Sequence, residues 1–312
     1  MTEKIFRAAM NFTGAFKRPE FILSGGEPLL VWPRVRQWIQ KIRAAHPENY
    51  ISVQSNVTLL NMRKMAFLNE NRINVEVGID GNEATMRANR PGAGREYYRG
   101  VCRALELLTV SGGLSTATMT VYPQGAGQLL LNLKHLDGLG ARHVEIHPAF
   151  MEAWDMPAAK KFLRGYRQAS IYALKENKTG LIGRGYSDVA HGVWDMVILP
   201  DGKVLPNWTF LSFPEQVRKD FYVMDLASGK ARILPAAAGY FEALQGFLSL
   251  TVRKRVTYRQ ISNFNAGLAF QRAGGLLGKA FAVYRQLCQD IENIDQDVMG
   301  KMPWRRSVMN QF

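Results

Sequence analysis

The chain has 312 residues, 47% of them hydrophobic, enough to bury one large core and a smaller appendage, and this excludes a disordered polypeptide. No stretch approaches the roughly 18 uninterrupted apolar residues of a membrane span, and acidic Glu3 with its polar surroundings does not make a secretory signal, so a cytoplasmic location without membrane contact is expected. The formal charge of +14 favours anionic partners, acidic or nucleic acid, but the basic residues are spread over 34–43, 253–259 and 301–306 without interleaved aromatics, as on solvated surfaces.

In chain order, helical and strand-like segments alternate up to about residue 180. Helices are expected over 3–16 and 32–45, strands over 20–24 and 50–56, a helix over 61–70 and a strand over 73–79. A helix over 95–110, a strand over 114–121, a helix near 127–138, a strand over 143–148 and a long helix over 157–175 follow. Such alternation is the pattern of a parallel α/β domain.

The two faces of the strands differ in chemistry, because successive side chains point to opposite sides. Ile73, Val75, Val77 and Ile79 oppose Asn74, Glu76 and Asp80, and Ile51 and Val53 oppose Ser52, Gln54 and Asn56. Ala117, Met119 and Val121 likewise oppose Thr116, Thr118 and Thr120, and Val144 and Ile146 oppose His143, Glu145 and His147. A doubly wound sheet would be apolar on both faces. The fold class expected is therefore α/β: a partial TIM-like barrel of βα units with a polar interior and binding residues at the C-terminal strand ends.

After residue 180 the rhythm changes. A strand–turn–strand signal runs from Trp194 to Leu205 around Pro200-Asp201-Gly202, and an amphipathic helical region over about 236–295 has Gly274, Gly275 and Gly278 as breaks. The expected organisation is a barrel over 1–185, a small auxiliary region over 186–235 and a helical C-terminal region over 236–312.

Cys102 and Cys288 are the sequence's two cysteines; they match no zinc or disulfide spacing and read as core packing in apolar helical stretches. His143, Glu145 and His147 share a strand face, yet ligands two residues apart on one strand seldom complete a metal site by themselves, and no metal is assigned to them. Gly274-Gly275-Leu276-Leu277-Gly278-Lys279 lacks the spacing and the preceding strand of a phosphate loop. Ser24-Gly25-Gly26-Glu27-Pro28 is a sharper signal: two glycines after a strand let a ligand approach the backbone, and a glutamate there can accept from an amine.

That motif resembles the second signature of the radical S-adenosylmethionine (radical SAM) enzymes. Ser55-Asn56-Val57-Thr58-Leu59-Leu60 is similar to the family's T-N-G-T-L-L segment, and Val77-Gly78-Ile79-Asp80-Gly81 with Arg90-Pro91-Gly92 to the S-L-D-G…R-P segment of its peptide-modifying and sulfatase-maturing branch. Ile146-His147-Pro148 is similar to its I-x-P, and the run from Pro200 to Asn207, with Phe221 to Gly229, resembles a degenerate form of the auxiliary SPASM or twitch module. The resemblance implies S-adenosylmethionine (AdoMet) as cofactor, its amino-acid end on Gly25, Gly26, Glu27 and Pro28, with Asn56 and Asp80 lining the pocket and Arg90 on a carboxylate. It further implies cleavage of AdoMet to a 5′-deoxyadenosyl radical that abstracts hydrogen from a peptide or protein side chain.

The departures are specific. The C-x3-C-x2-C loop that holds the family's 4Fe–4S cluster is absent from this sequence, and the family's glycine, histidine–aspartate pair and auxiliary cysteine are here Val57, Met86-Arg87 and Asn207. An amide is a poor iron ligand beside a thiolate, so no auxiliary cluster is expected. The chain opens on what resembles the family's first helix, which places the first strand and cluster loop upstream of Met1. The alternative is a protein that has lost its cluster and persists as a non-catalytic peptide- or nucleic-acid-binding relic.

Overall fold

The structure, a computed structural model, describes residues 1–16, 19–150, 152–178, 180–183, 196–250, 264–269 and 278–300. Trp194, Gly274, Gly275 and the basic stretches 253–259 and 301–306 lie outside the described residues, whereas Gly278 opens a helix, Gly278–Gly300, rather than interrupting one. Two compact units are present: Arg18–Arg184 with Asp290–Phe312, and Met1–Lys17 with Gly185–Gln289.

The first unit contains a six-stranded parallel sheet: β1 (Phe21–Leu23), β2 (Ile51–Ser55), β3 (Asn74–Gly78), β4 (Ser115–Val121), β5 (Val144–Pro148) and β6 (Ile182–Gly183). The strands lie side by side in sequence order, and among the described residues β1 and β6 are edges, so the sheet stays open. Parallel connections are right-handed, and sequential order then carries every crossover over the same face. The burial pattern agrees. Ile51, Val53, Ile73, Val75, Val77, Ile79, Ala117, Met119, Val121, Val144 and Ile146 are all buried, while Gln54 is exposed and Glu76, Thr118 and Glu145 are half-buried. This is an open, barrel-like sheet with one greasy and one polar side, as the alternation of the sequence requires.

The crossover helices are α2 (Trp32–Ala45), α3 (Met62–Glu70), α5 (Arg95–Val110), α6 (Leu129–Gly138) and α7 (Met156–Lys175), with a short α4 (Glu83–Asn89) after β3. Their starts follow local chemistry: Asn61, Asn82 and Asp155 accept from the backbone N–H three residues on, at 3.0, 3.0 and 2.7 Å. α5 buries Tyr98, Val101, Ala104, Leu105 and Leu108, a stripe at helical spacing. In the same unit the buried Tyr166 hydroxyl of α7 donates to Asp295 at 2.8 Å. No helix among the described residues is long and apolar enough to cross a membrane.

One residue is held against its preference. Val57, at the end of the loop leaving β2, has φ 55° and is 1% exposed. A left-handed conformation costs an L-residue about 1–2 kcal/mol and is unusual for a β-branched one. Its amide is fixed by Ser55 Oγ at 2.9 Å and its carbonyl by the amide of Leu60 at 3.0 Å. Because released strain offsets lost burial, Val57→Gly is expected to change stability by less than about 1 kcal/mol. Val53→Gly, at a fully buried strand position, should lose about 3 kcal/mol or more in parallel urea titrations.

The second unit opens with α1 (Glu3–Thr13), whose Thr2 hydroxyl caps the amide of Ile5, and which buries Ile5, Phe6, Ala8 and Ala9. Its antiparallel sheet has the order β10 (Arg232–Ile233), β9 (Met224–Asp225), β8 (Lys203–Leu205) and β7 (Val197–Ile198). The turn joining β7 and β8 requires glycine: Gly202 has φ 93°, and a Cβ there would lie 2.7 Å from the amide nitrogen of Ala227. Buried Phe210 and half-buried Phe221 stack with centroids 4.4 Å apart.

Candidate functional site

The expected site residues from the first three strands collect at the C-terminal ends of β1, β2 and β3. Gly25 and Gly26 follow β1 with φ 105° and 55°; both are exposed, and a Cβ on either would meet nothing within 4 Å. None of the hydrogen bonds among the described residues uses their backbone groups. Two peptide units with free donors and acceptors thus face open space where side chains would be strained. Such a surface suits the amino-acid end of AdoMet, which offers both an ammonium and a carboxylate.

Glu27 is bonded within the chain as well as placed beside the glycine turn. Its Oε1 accepts from the amide of Leu29 at 2.9 Å and from the Ser55 hydroxyl at 2.8 Å, and its Oε2 accepts from the amide of Asn56 at 2.8 Å. The carboxylate caps the short 3-10 helix Pro28–Val31 and ties the β1 loop to the end of β2. Pro28 is the first residue of that helix and is buried. Ser55, which the sequence placed in the T-N-G-T-L-L-like segment without assigning it a role, is the second half of this tie.

Asn56 is partly committed. Its Oδ1 accepts from the amide of Thr58 at 3.0 Å and from the Thr58 hydroxyl at 2.8 Å, which leaves its amide Nδ2 as the group available to a ligand. Asp80, 1% exposed, binds Arg90 in fork-to-fork fashion, Oδ2 to Nε at 2.9 Å and Oδ1 to Nη2 at 2.8 Å. Oδ1 also accepts from the amide of Thr120 at 3.1 Å, fastening β3 to β4. Burial works against the Arg90 charge, and the hydrogen bonds to Asp80 more than restore it. The third guanidinium nitrogen, Nη1, lies over Gly78, where a Cβ would come within 2.9 Å of it. Asp80 and Arg90 are therefore each other's partners before any ligand arrives. Met86, in place of the family's histidine, is fully buried and its sulfur accepts from the amide of Asp80 at 3.1 Å.

Deeper on the polar face, Glu76 on β3 and Glu145 on β5 flank the threonines of β4. His147 lies 3.2 Å and His143 4.0 Å from Glu145, and His143 Nδ1 is 3.0 Å from the carbonyl oxygen of Gly180. Burial, with the nearby Glu145 charge, pushes the Glu76 carboxyl up. Burial and the charges of Glu76 and Glu145 push the Tyr50 hydroxyl up to about 12.

The residues of this chain do not fit an iron–sulfur cluster. Among the described residues no group of three or more His, Cys, Asp or Glu could hold a metal ion, and the whole sequence has two cysteines, Cys102 half-buried on α5 and Cys288 buried. At the auxiliary position, buried Asn207 accepts from the amide of Thr209 at 2.9 Å and caps the 3-10 helix Trp208–Ser212.

The fold, an open parallel sheet in sequence order with a Gly-Gly turn after its first strand, is similar to that of the solved enzyme anSMEcpe. No family model matches the chain. It is 26% identical over 137 residues to a serine-type anaerobic sulfatase-maturating enzyme of Klebsiella pneumoniae, an alignment covering 42% of this chain and 35% of that protein. The chain thus spans about a third of the length of the curated relative that it matches. Among solved structures, native anSMEcpe with bound AdoMet and Kp18Cys peptide superposes with a TM-score of 0.64 at 14% identity, covering 96% of this chain and 90% of that one. Streptococcus suis SuiB bound to its precursor peptide SuiA superposes with a TM-score of 0.50 at 10% identity, covering 68% and 54%. The chain is thus similar in sequence to a sulfatase-maturating enzyme over part of its length, and it shares the fold of anSMEcpe. Nothing in these relatives supports a nucleic-acid partner or the reading of a cluster-less relic.

Proposed function

We propose that this chain is the AdoMet- and peptide-binding portion of a radical SAM maturase that modifies a peptide or protein side chain. The observation that carries the reading is the Gly25–Gly26 turn: strained for any side chain, unbonded through its backbone, and placed beside Asn56 and the Asp80–Arg90 pair at three adjacent strand ends. The turn would hold the amino-acid end of AdoMet, Asn56 Nδ2 would donate toward it, and Arg90 Nη1 would face a carboxylate from above Gly78. The solved neighbours whose folds this chain shares were determined with AdoMet and a peptide, which supports the same pair of ligands here. In this family bound AdoMet supplies a 5′-deoxyadenosyl radical, for which a 4Fe–4S cluster needs more thiolates than the two of this sequence. What the residues present do is bind, orient and shield.

Equilibrium dialysis of radiolabelled AdoMet against the purified chain tests the reading. Saturable binding is expected, weakened about tenfold or more by Gly26→Val, which puts a β-branched side chain at φ 55°, and unchanged by Gly100→Ala in α5. Absence of saturable binding, or equal binding by the Gly26 variant, would overturn it.

A further inference from the structure

We infer that Asn132, buried in the crossover helix α6, is the positioning residue that holds Arg90 where it meets the carboxylate of AdoMet. This role rests on the AdoMet-binding reading above and supplies what that reading leaves open, the residue that aims the guanidinium.

Asn132 interrupts the apolar run Leu129-Leu130-Leu131-Asn132-Leu133 and is 3% exposed, a position where an amide is unfavourable unless it is bonded. Its Oδ1 accepts from two donors, the amide of Asn82 at 3.2 Å and the Thr85 hydroxyl at 3.1 Å, which lie 50 and 47 residues earlier. Asn82 is the cap of α4 and Thr85 belongs to its first turn, so the two bonds fasten α4 to α6.

The backbone is shaped for the same contact. Gly81, directly after Asp80, has φ 139°, and a Cβ there would lie 2.2 Å from Asn132 Cγ and 2.3 Å from its Oδ1. Glycine at this position is what lets the asparagine reach the loop, and any side chain would displace it.

The segment from Asp80 to Arg90 closes on itself. Arg90 forks onto Asp80, the Asp80 amide donates to the Met86 sulfur, and Asn89 Nδ2 lies 3.4 Å from Asp80 Oδ2. A closed unit of this kind keeps its internal geometry while turning as a body, so its aim depends on where it is fastened outside. At one end β4 holds it through Thr120, whose amide donates to Asp80 and whose carbonyl accepts from Asn89 at 3.3 Å. At the other end stand the bonds to Asn132, since the 3.8 Å pair of Glu83 with Arg95, the latter 67% exposed, adds little. Without Asn132 the unit pivots about Thr120, and Arg90 Nη1 leaves its place over Gly78 while the pair with Asp80 stays intact. A guanidinium reads a carboxylate by direction as well as by charge, so the pivot weakens that one contact and spares the rest of the cofactor.

Equilibrium dialysis of the full chain against AdoMet and against decarboxylated AdoMet separates a positioning role from a merely structural one. The wild type is expected to prefer AdoMet. Asn132→Ala should lower the affinity for AdoMet about fivefold or more and that for the decarboxylated analogue by less than about twofold. Thr85→Val removes one donor from a half-buried site with little change of shape, and should show a smaller loss of the same selectivity. Leu133→Ala, at a fully buried position of α6, loosens the helix without removing the acceptor and should leave the ratio of the two affinities as in the wild type. Parallel losses for both ligands in Asn132→Ala, an unchanged ratio in Thr85→Val, or the same change of ratio in Leu133→Ala overturns the inference, as does a wild type without preference for AdoMet. If Asn132→Ala does not fold, Thr85→Val decides. Saturable AdoMet binding in any of these cases leaves the wider reading standing, whereas no AdoMet binding at all removes that reading.

Discussion

Arg90→Met is expected to lower the stability of the chain by about 3 kcal/mol in urea unfolding, the low end of the range for breaking a buried pair, because the Arg90 side chain remains one-third exposed. The loss arises at Asp80, which is left 1% exposed with a charge that only the amides of Thr120 and Asn89 can then answer. Asp80→Asn combined with Arg90→Met should recover most of it: the asparagine carbonyl still accepts from Thr120, and no unpaired charge stays buried. Non-additivity of about 2 kcal/mol between the two substitutions is the sharper signature. A loss below about 1 kcal/mol in the single variant would show that the pair does not fasten β3 to β4.

Glu27→Ala is the second large effect, about 2–3 kcal/mol, since it deprives two backbone amides and one hydroxyl of a charged acceptor at the same time. Glu27→Gln keeps an acceptor oxygen and should lose roughly half as much. Both variants should weaken AdoMet binding, because the tie to Ser55 and Asn56 sets the path of the glycine turn. If Glu27→Ala keeps full AdoMet affinity while losing stability, the turn is positioned by other means. A wild-type response in both measurements would deny the tie altogether.

Much of the fold could be read from residue order because its causes are local. Alternation within 51–56, 73–79, 116–121 and 143–147 separates the two faces of the sheet by side-chain direction alone, and the burial of Val53, Val75, Val77 and Met119 follows. The span expected for α5 matches Arg95–Val110, where five apolar residues recur at helical spacing. α4 escaped notice because seven residues give too little periodicity, though Asn82 before Glu83 was a start signal. At the site, the residues were legible but their partners were not. Glu27 sits 28 residues from Ser55, and Asp80 ten residues from Arg90. A glutamate beside two glycines reads as a ligand contact, and its bonds to the end of the next strand cannot be read from local order. Val57 illustrates the reverse case, a β-branched residue in place of the family's glycine at φ 55°.

The side-by-side order of the strands also governs how the sheet can assemble. Each strand pairs with its immediate predecessor, as Phe21 with Ile51, Ser52 with Asn74 and Val75 with Ser115, so every pairing closes a short helical crossover and no longer excursion. Loop-closure entropy is then spread over similar modest steps, where a doubly wound sheet must close at least one long connection across its middle. A nascent chain can add strands in the order of synthesis, each new helix sealing the apolar side of the strand before it. The polar face needs no such seal while it waits.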